Sequence, residues 1–173
     1  IALTLTWTKI RQPLTNTLYA YKASKTLFRA YQFLPALKIL NSPTGRLLIA
    51  DEVGLGKTIE AGIVWSELEQ RSTMRRTLVV APSSLGLKWR MEMSRRFDRE
   101  LEIIKPARLI ELADEMLAGK DPELHAVISI ESLRTAHEAL ERLSQIRPRF
   151  DLIVVDEAHA LRNIGTRSNI LGG

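Results

Sequence analysis

Short, unbroken runs of apolar residues alternate along the chain with longer segments in which apolar residues recur at helical spacing. The runs predict β-strands at Arg46–Ala50, Thr77–Ala81, Glu102–Lys105, Ala126–Ile130 and Leu152–Asp156. The segments between them predict helices at about Lys57–Gln70, Ser84–Phe97, Ala107–Leu117 and Ser132–Leu143. Continuous apolar strands are typical of a parallel sheet buried on both faces. We therefore predict an α/β fold, a doubly wound parallel sheet with helices on both faces.

The N-terminal part of the chain has a weaker pattern. Residues 1–23 contain a Thr-rich alternation and Pro13, and we predict an irregular segment there. Helical spacing begins near Ser24 and continues to Leu40, although Pro35 should interrupt it. We therefore expect one folded domain over residues 24–173.

Composition narrows the class of protein. The chain has 173 residues, of which 45% are hydrophobic and 26% charged, as in a globular domain. No apolar run approaches the roughly 18 residues that a membrane span needs. There is no cysteine for disulfides or thiolate metal sites, and the three histidines lack the spacing of a zinc site. Because the chain opens at Ile1 without a signal-peptide pattern, we expect a piece of a longer intracellular protein.

Charge is distributed unevenly between the two ends of the chain. Residues 1–50 contain seven cationic side chains and no acidic one, whereas residues 51–173 contain 18 cations and 20 acids. The net charge of +5 therefore comes from the N-terminal part. A segment of one sign suits a polyanion such as nucleic acid, because each neutralised phosphate releases counterions. A solvated basic surface explains the same charges equally well.

A glycine-rich segment, Asp51–Thr58, follows the first predicted strand and precedes a predicted helix. Gly54 and Gly56 allow the backbone to turn so that its amides and the helix N-terminus face phosphate oxygens. Lys57 would reach the β- and γ-phosphates, and the Thr58 hydroxyl would bind Mg²⁺. A strict P-loop has glycine where this chain has Asp51. The alternative is a glycine turn that only caps a helix.

A second segment places two adjacent carboxylates after an apolar strand. Val154–His159 ends in the tetrad Asp-Glu-Ala-His, at the carboxyl edge of the predicted sheet. Asp156 would hold Mg²⁺, while Glu157 would orient and polarise the attacking water. The alternative is an acidic helix start that is stabilised by the helix dipole. A parallel sheet can place these carboxylates close to Lys57, so the two segments together predict the active site of a nucleoside triphosphatase.

Three segments together resemble a known family. DEVGLGKTIEAG at 51–62, LVVAPSSLGLKW at 78–89 and DLIVVDEAHALRN at 151–163 are similar to the first, accessory and second motifs of the Swi/Snf-type ATPases. These ATPases are the DNA-translocating branch of the superfamily-two helicases, and the first motif is most similar to the bacterial branch associated with RNA polymerase. The resemblance spans about residues 29–163 and implies a RecA-like N-terminal lobe, in which aspartate at position 51 is expected.

The resemblance implies further nucleotide contacts. Gln32, in the sequence Arg29-Ala-Tyr-Gln32, corresponds to the family's adenine-binding glutamine, although Ala30 replaces the usual proline. His159 would couple the nucleotide state to motions of a second lobe. Without the family, the alternative for Gln32 is a polar residue on a surface helix. The implied nucleotide-binding residues are Gln32, Asp51, Gly54, Leu55, Gly56, Lys57, Thr58 and His159.

The resemblance also implies nucleic-acid contacts. Pro82, Ser83 and Ser84 follow the second strand, where the family touches the nucleic-acid backbone, and Ser129 lies where a further contact falls. The alternative for these serines is ordinary helix capping. Trp89, on a predicted helix, is interpreted as a core or interface residue and not as a platform for base stacking.

Together these features predict the ATP-binding lobe of a DNA-dependent ATPase, with ATP and Mg²⁺ as cofactors and Lys57, Asp156 and Glu157 as catalytic residues. Hydrolysis would drive translocation on duplex DNA or remodelling of a protein–DNA complex, such as one containing RNA polymerase. The implied location is the bacterial cytoplasm, at the nucleoid, or the nucleus. A DEAH-type strand-separating helicase and a nucleotide-gated binding module that never hydrolyses are the alternatives. A second RecA-like lobe would supply an arginine, so we expect residues 1–173 to bind ATP but to hydrolyse little.

Overall fold

A computed structural model describes residues 29–49, 56–147 and 150–158, together with the backbone of residues 3–7. Its six strands are β1 (Leu3–Trp7), β2 (Arg46–Ile49), β3 (Arg76–Ala81), β4 (Glu102–Ile104), β5 (Leu124–Ser129) and β6 (Leu152–Val155). Its six α-helices are α1 (Leu34–Asn41), α2 (Lys57–Glu69), α3 (Gly86–Phe97), α4 (Pro106–Leu117), α5 (Ile130–Arg134) and α6 (His137–Ser144). Two 3₁₀ helices, Ala30–Phe33 and Ser83–Leu85, precede α1 and α3.

The strands form one sheet in the order β2-β1-β6-β3-β5-β4. Strands β6, β3, β5 and β4 run parallel to one another, as a β–helix–β alternation dictates. All six residues of β3 are buried, which explains the apolar run Leu78–Ala81 within it. The predicted α/β fold with a parallel sheet is confirmed.

Helices cover both faces of this sheet. Successive side chains along a strand point to opposite faces, so the strands contribute residues to two separate cores. Val79 of β3 packs with residues of α1, α2 and α3, whereas Leu78 and Val80 pack with residues of α4, α5 and α6. Neighbouring β6 behaves in the same way, with Val154 in the first core and Ile153 in the second. The carboxyl ends of β3, β5 and β6 are thereby held at one edge between two packed layers.

The sheet also contains a strand that the prediction missed. Residues 3–7, which were predicted to be irregular, form β1, and this strand runs antiparallel to both β2 and β6. The alternating sequence Leu-Thr-Leu-Thr-Trp is compatible with a strand, but its pairing with chain segments 40 to 46 and 145 to 151 residues away is a long-range property. The sheet is therefore mixed and not entirely parallel. The boundary at residue 24 stays a prediction.

Other differences concern the ends of helices. The predicted break near Pro35 is confirmed, because α1 begins at Leu34 with the proline in its first turn. The helix predicted over 132–143 is instead two helices that are separated at Thr135 and Ala136. The Thr135 hydroxyl donates to the Ser132 carbonyl at 2.9 Å, a local bond that competes with helix continuation. No helix in the described ranges is long and apolar enough to span a membrane.

Candidate nucleotide-binding site

A pocket of about 380 Å³ lies at the carboxyl edge of the sheet. The first turn of α2 forms one wall, and the residues after β6, Asp156 and Glu157, form another. One face of the 3₁₀ turn and α3 completes the lining with Leu85, Lys88, Glu92 and Arg96. The structure thus brings the two predicted motifs together in one cavity, although about 100 residues of sequence separate them.

The N-terminus of α2 opens toward this pocket. Gly56 is the N-cap residue and has φ of 94°, in the left-handed region that glycine occupies without strain. Its carbonyl accepts the first helical bonds, from the amides of Ile59 at 2.7 Å and Glu60 at 3.0 Å. A glycine cap has no side chain to accept from the first-turn amides. Lys57 and Thr58 are half-buried in this first turn and line the same pocket.

Gln32 lies directly against this glycine. Its side chain is buried, with 6% exposed, and its Oε1 accepts from the Arg29 amide at 2.9 Å. The Nε2 is 3.1 Å from the position that a Cβ on Gly56 would occupy. The alternative of a polar residue on a surface helix is therefore wrong, because Gln32 is buried in a 3₁₀ turn beside the start of α2.

The Asp156 carboxylate is buried and fixed by two donors. The indole Nε1 of Trp89 donates to Oδ2 at 2.9 Å, and the Glu157 amide donates to Oδ1 at 2.9 Å. The Asp156 amide itself donates to the Val80 carbonyl at 2.8 Å, which continues the β3–β6 ladder past the last residue of β6. Only 8% of Asp156 is exposed, so its position is set by the sheet and by α3.

Glu157 has an unusual backbone conformation. Its φ of 53° lies in the left-handed region, which residues with a Cβ adopt at a cost of roughly 1–2 kcal/mol. The turn ends the strand and leaves the side chain half-buried at the pocket. Backbone strain of this kind is often retained at functional sites.

The predicted nucleic-acid residues lie at the ends of neighbouring strands. Ala81 of β3 and Ser129 of β5 are register partners, which brings Pro82–Ser84 and Ser129 to the same edge. Ser83 and Ser84 are exposed, and neither caps the following helices. In contrast, the Ser129 hydroxyl accepts from the Ser132 amide at 2.9 Å, so the capping role considered for Ser129 is observed.

Glu131 is a feature of this edge that sequence analysis passed over. Its Oε2 accepts from the Ser83 amide at 3.2 Å. Its pKa is lowered by hydrogen bonds, first from its own backbone amide and also from the Ser83 amide and the Ser129 hydroxyl. The Glu131 carboxylate therefore lies at the edge of the sheet where nucleic-acid binding is predicted. It accepts from the Ser83 amide, which is then not available to donate to a phosphate. In sequence it resembles any acid in a first helical turn.

The α3 face was missed as well. Lys88, Glu92 and Arg96 recur every four residues on a helix, so they share one side, and that side lines the pocket. Arg96 forms an ion pair with Glu92. The spacing was visible in the sequence, but nothing in it showed that this side of α3 faces α2 and β6. Asp51, Gly54, Leu55 and His159 lie outside the described residues.

The donor set suits a magnesium–phosphate group. Mg²⁺ is usually bound through one or two carboxylates together with substrate phosphates, and not by a cage made only of protein ligands. Thr58, Asp156 and Lys57 all line the same cavity. Within the described ranges, no group of three or more acidic, histidine or cysteine side chains is placed to hold a metal ion.

The chain is similar to proteins of one known family. The model of the SNF2-related domain family matches residues 31–170. The RNA polymerase-associated protein RapA of Vibrio campbellii (strain ATCC BAA-1116) is 39% identical over 116 residues, which cover 67% of this chain and 12% of that protein. The proteins of the same name from Vibrio cholerae serotype O1 (strain M66-2) and Yersinia pseudotuberculosis serotype O:1b (strain IP 31758) are 37% and 39% identical over the same shares.

The matched segment thus spans about 12% of the length of these relatives. The family match covers Gln32, the glycine-rich segment at 51–58 and both carboxylates. It also fits the parallel sheet and the two helical layers, as expected for a RecA-like lobe. The expected resemblance to the Swi/Snf-type family and its RNA-polymerase-associated branch is confirmed, and the chain belongs to the SNF2-related domain family.

Proposed function

We propose that this chain is the ATP-binding lobe of a DNA-dependent ATPase. The observation that carries the proposal is the shared pocket of Lys57, Thr58, Asp156 and Glu157, which come from opposite ends of the domain. ATP phosphates bind at the first turn of α2, where uncapped amides and a lysine supply positive charge. Gln32 contacts the adenine from beside Gly56.

Thr58 and Asp156 hold Mg²⁺ in this proposal, and Glu157 orients the attacking water. When bound, Mg²⁺ neutralises charge on the β- and γ-phosphate oxygens. Asp156 suits its role because two donors fix its carboxylate at the end of the central sheet. Glu157 suits its role because a strained turn places it in the lining of the pocket that Lys57 also lines.

Nucleic acid binds at the same edge of the sheet in this proposal. The exposed Ser83 and Ser84 supply hydroxyl groups for a phosphate backbone, and duplex DNA is the proposed partner. Because the relatives are named RNA polymerase-associated proteins, RNA polymerase is the proposed protein partner of the full-length molecule. Hydrolysis drives translocation or remodelling, and a second RecA-like lobe completes the catalytic site. The family match favours this reading over a strand-separating helicase.

The proposal is tested by the substitution Lys57→Ala. A charge-assisted contact to phosphate contributes about 1.5–3 kcal/mol, so the dissociation constant should rise roughly 10- to 150-fold. The measurement is a titration of a fluorescent ATP analogue in the presence of Mg²⁺. Lys120→Ala, which removes an exposed lysine beyond α4, is the control and should bind like the wild type. Equal affinity of the Lys57→Ala and wild-type proteins would contradict the nucleotide site.

A further inference from the structure

Trp89 makes a polar contact that its burial does not require. It lies on α3 with 2% of its surface exposed, and its ring packs in the core between the sheet and the helices α1–α3. Its indole Nε1 donates to Asp156 Oδ2 at 2.9 Å, across 67 residues of sequence. The bond is buried and its acceptor is a carboxylate, and charge-assisted hydrogen bonds of this kind are the stronger ones.

Trp65 shows that the core does not impose such a bond. It lies on α2 in the same core, with 1% exposed, and is likewise one of the largest fully buried side chains. Its Nε1 is buried and makes no hydrogen bond within the described part of the chain. Both tryptophans thus pack in one core. Of the two, Trp89 alone donates its indole N–H to a side chain that lines the pocket.

The consequence for Asp156 follows from its second contact. The Glu157 amide holds Oδ1, and the Trp89 indole holds Oδ2, so the carboxylate cannot rotate without breaking one of them. Each oxygen keeps lone-pair capacity for a further ligand. Because the indole belongs to a helix packed in the core, it is a rigid support for the carboxylate. Such partners of a metal ligand set its orientation and its affinity for the metal.

We propose that Trp89 is a positioning residue for Asp156: its indole N–H fixes the carboxylate in the orientation that receives the magnesium ion of the bound nucleotide. The inference rests on the proposed nucleotide site. It assigns the N–H of Trp89 a function that is separate from the packing of the ring. Replacing the indole with a phenyl ring removes the donor and leaves an apolar aromatic side chain in the core.

The test compares Trp89→Phe with Trp65→Phe in the full chain. Both substitutions shorten a buried tryptophan of the same core, but only the first removes a hydrogen bond to Asp156. The measurement is the Mg²⁺ concentration that gives half-maximal binding of a fluorescent ATP analogue, with urea unfolding recorded in parallel. Trp89→Phe should raise that concentration on the order of tenfold, as loss of a partner of a metal ligand does. Trp65→Phe should leave it within about twofold, even if both variants lose similar stability. Equal shifts would overturn the inference.

A second measurement is made on the wild-type chain, so its result does not depend on the folding of Trp89→Phe. The indole N–H groups of the three tryptophans are followed in ¹H–¹⁵N spectra, with Trp65→Phe and Trp7→Phe used to assign the Trp89 signal by elimination. The Trp89 signal should shift when Mg²⁺ and nucleotide are added together and should stay in place with nucleotide and a chelator. If the chemical shift of the Trp89 indole N–H does not change when Mg²⁺ is added with nucleotide, the inference is wrong.

The two proposals fail in different ways. If the wild-type chain binds no nucleotide, or binds it equally with and without Lys57, the nucleotide site is wrong and the inference falls with it. If the wild type binds Mg²⁺ and nucleotide in a Lys57-dependent manner but Trp89→Phe behaves like Trp65→Phe, only the inference is wrong. In that case Trp89 contributes only to the packing of the core.

Discussion

His125, on β5, has a pKa that its surroundings lower. Its ring lies 5.1 Å from the ring of Trp65, and its Nδ1 is buried without a hydrogen-bond partner among the described residues. Burial lowers the pKa of His125 below its ordinary value of 6.5, against the opposing carboxylates of Glu123, 3.4 Å away, and Glu69, while Arg99 adds to the lowering. The folded protein therefore binds this proton less readily than the unfolded chain does.

This difference predicts a loss of stability in weak acid. Below about pH 6.5 the unfolded chain takes up a proton that the folded state resists, so the free energy of unfolding should fall as the pH falls. The decrease should level off below the lowered pKa. Urea unfolding from pH 7.5 to pH 5 measures it, and His125→Gln should flatten the profile. His137→Gln, at an exposed position of α6, is the control. Parallel profiles for wild type and His125→Gln would rule out His125 as the cause.

At the scale of the elements, the contact between α2 and α3 depends on one glycine. A Cβ on Gly62 of α2 would lie 2.1 Å from Cε2 of Phe97, at the C-terminal end of α3. The ring of Phe97 is buried against the glycine, so the two helices approach more closely than a side chain would allow. This contact matters for the pocket because α2 carries Lys57 and Thr58 and α3 carries Trp89.

Gly62→Ala should therefore destabilise the protein although alanine favours helix. Overpacking costs about 1–3 kcal/mol, and the higher helix propensity of alanine offsets about 1 kcal/mol of it. Gly86→Ala is the matched control, because its Cβ would lie 3.7 Å from Val127 Cγ1, an ordinary contact. Chemical denaturation should give a lower midpoint for Gly62→Ala alone, and Phe97→Leu in the same chain should restore part of it. If both alanine variants have equal midpoints, the close approach does not limit stability.

The elements of the parallel layer could be predicted because each has its own pattern. The strand predicted at 77–81 is observed as β3 at Arg76–Ala81, and the helix predicted at 57–70 is observed as α2 at Lys57–Glu69. Features that depend on distant residues could not be predicted in this way. The pairing of β1 between β2 and β6 is one, and the hydrogen bond from Trp89 to Asp156 is another. Motif spacing therefore predicted which residues share a pocket, and the structure added what holds them there.

At the scale of the whole molecule, the excess of positive charge comes from one end of the chain. All acidic residues follow position 50, and the described cations before it, Arg29, Lys38 and Arg46, are exposed. Their charges are not neutralised by acids of the same segment. Exposed cations of this kind bind a phosphate backbone without reading its sequence. The proposed DNA affinity should therefore depend on these residues and on salt.

The last prediction concerns that salt dependence. Each phosphate contact contributes a slope of about −0.9 to the logarithm of affinity against the logarithm of salt concentration. If Arg29, Lys38 and Arg46 each meet a phosphate, the variant with all three changed to glutamine should have a slope shallower by about 2.7, measured by anisotropy with a labelled duplex. The charge-matched control changes the exposed Lys105, Lys120 and Arg147 to glutamine and should keep the wild-type slope. If the salt dependence becomes shallower by the same amount in both variants, the affinity depends on the net charge of the chain and not on the N-terminal cations in particular. If neither does, DNA binding lies with other residues.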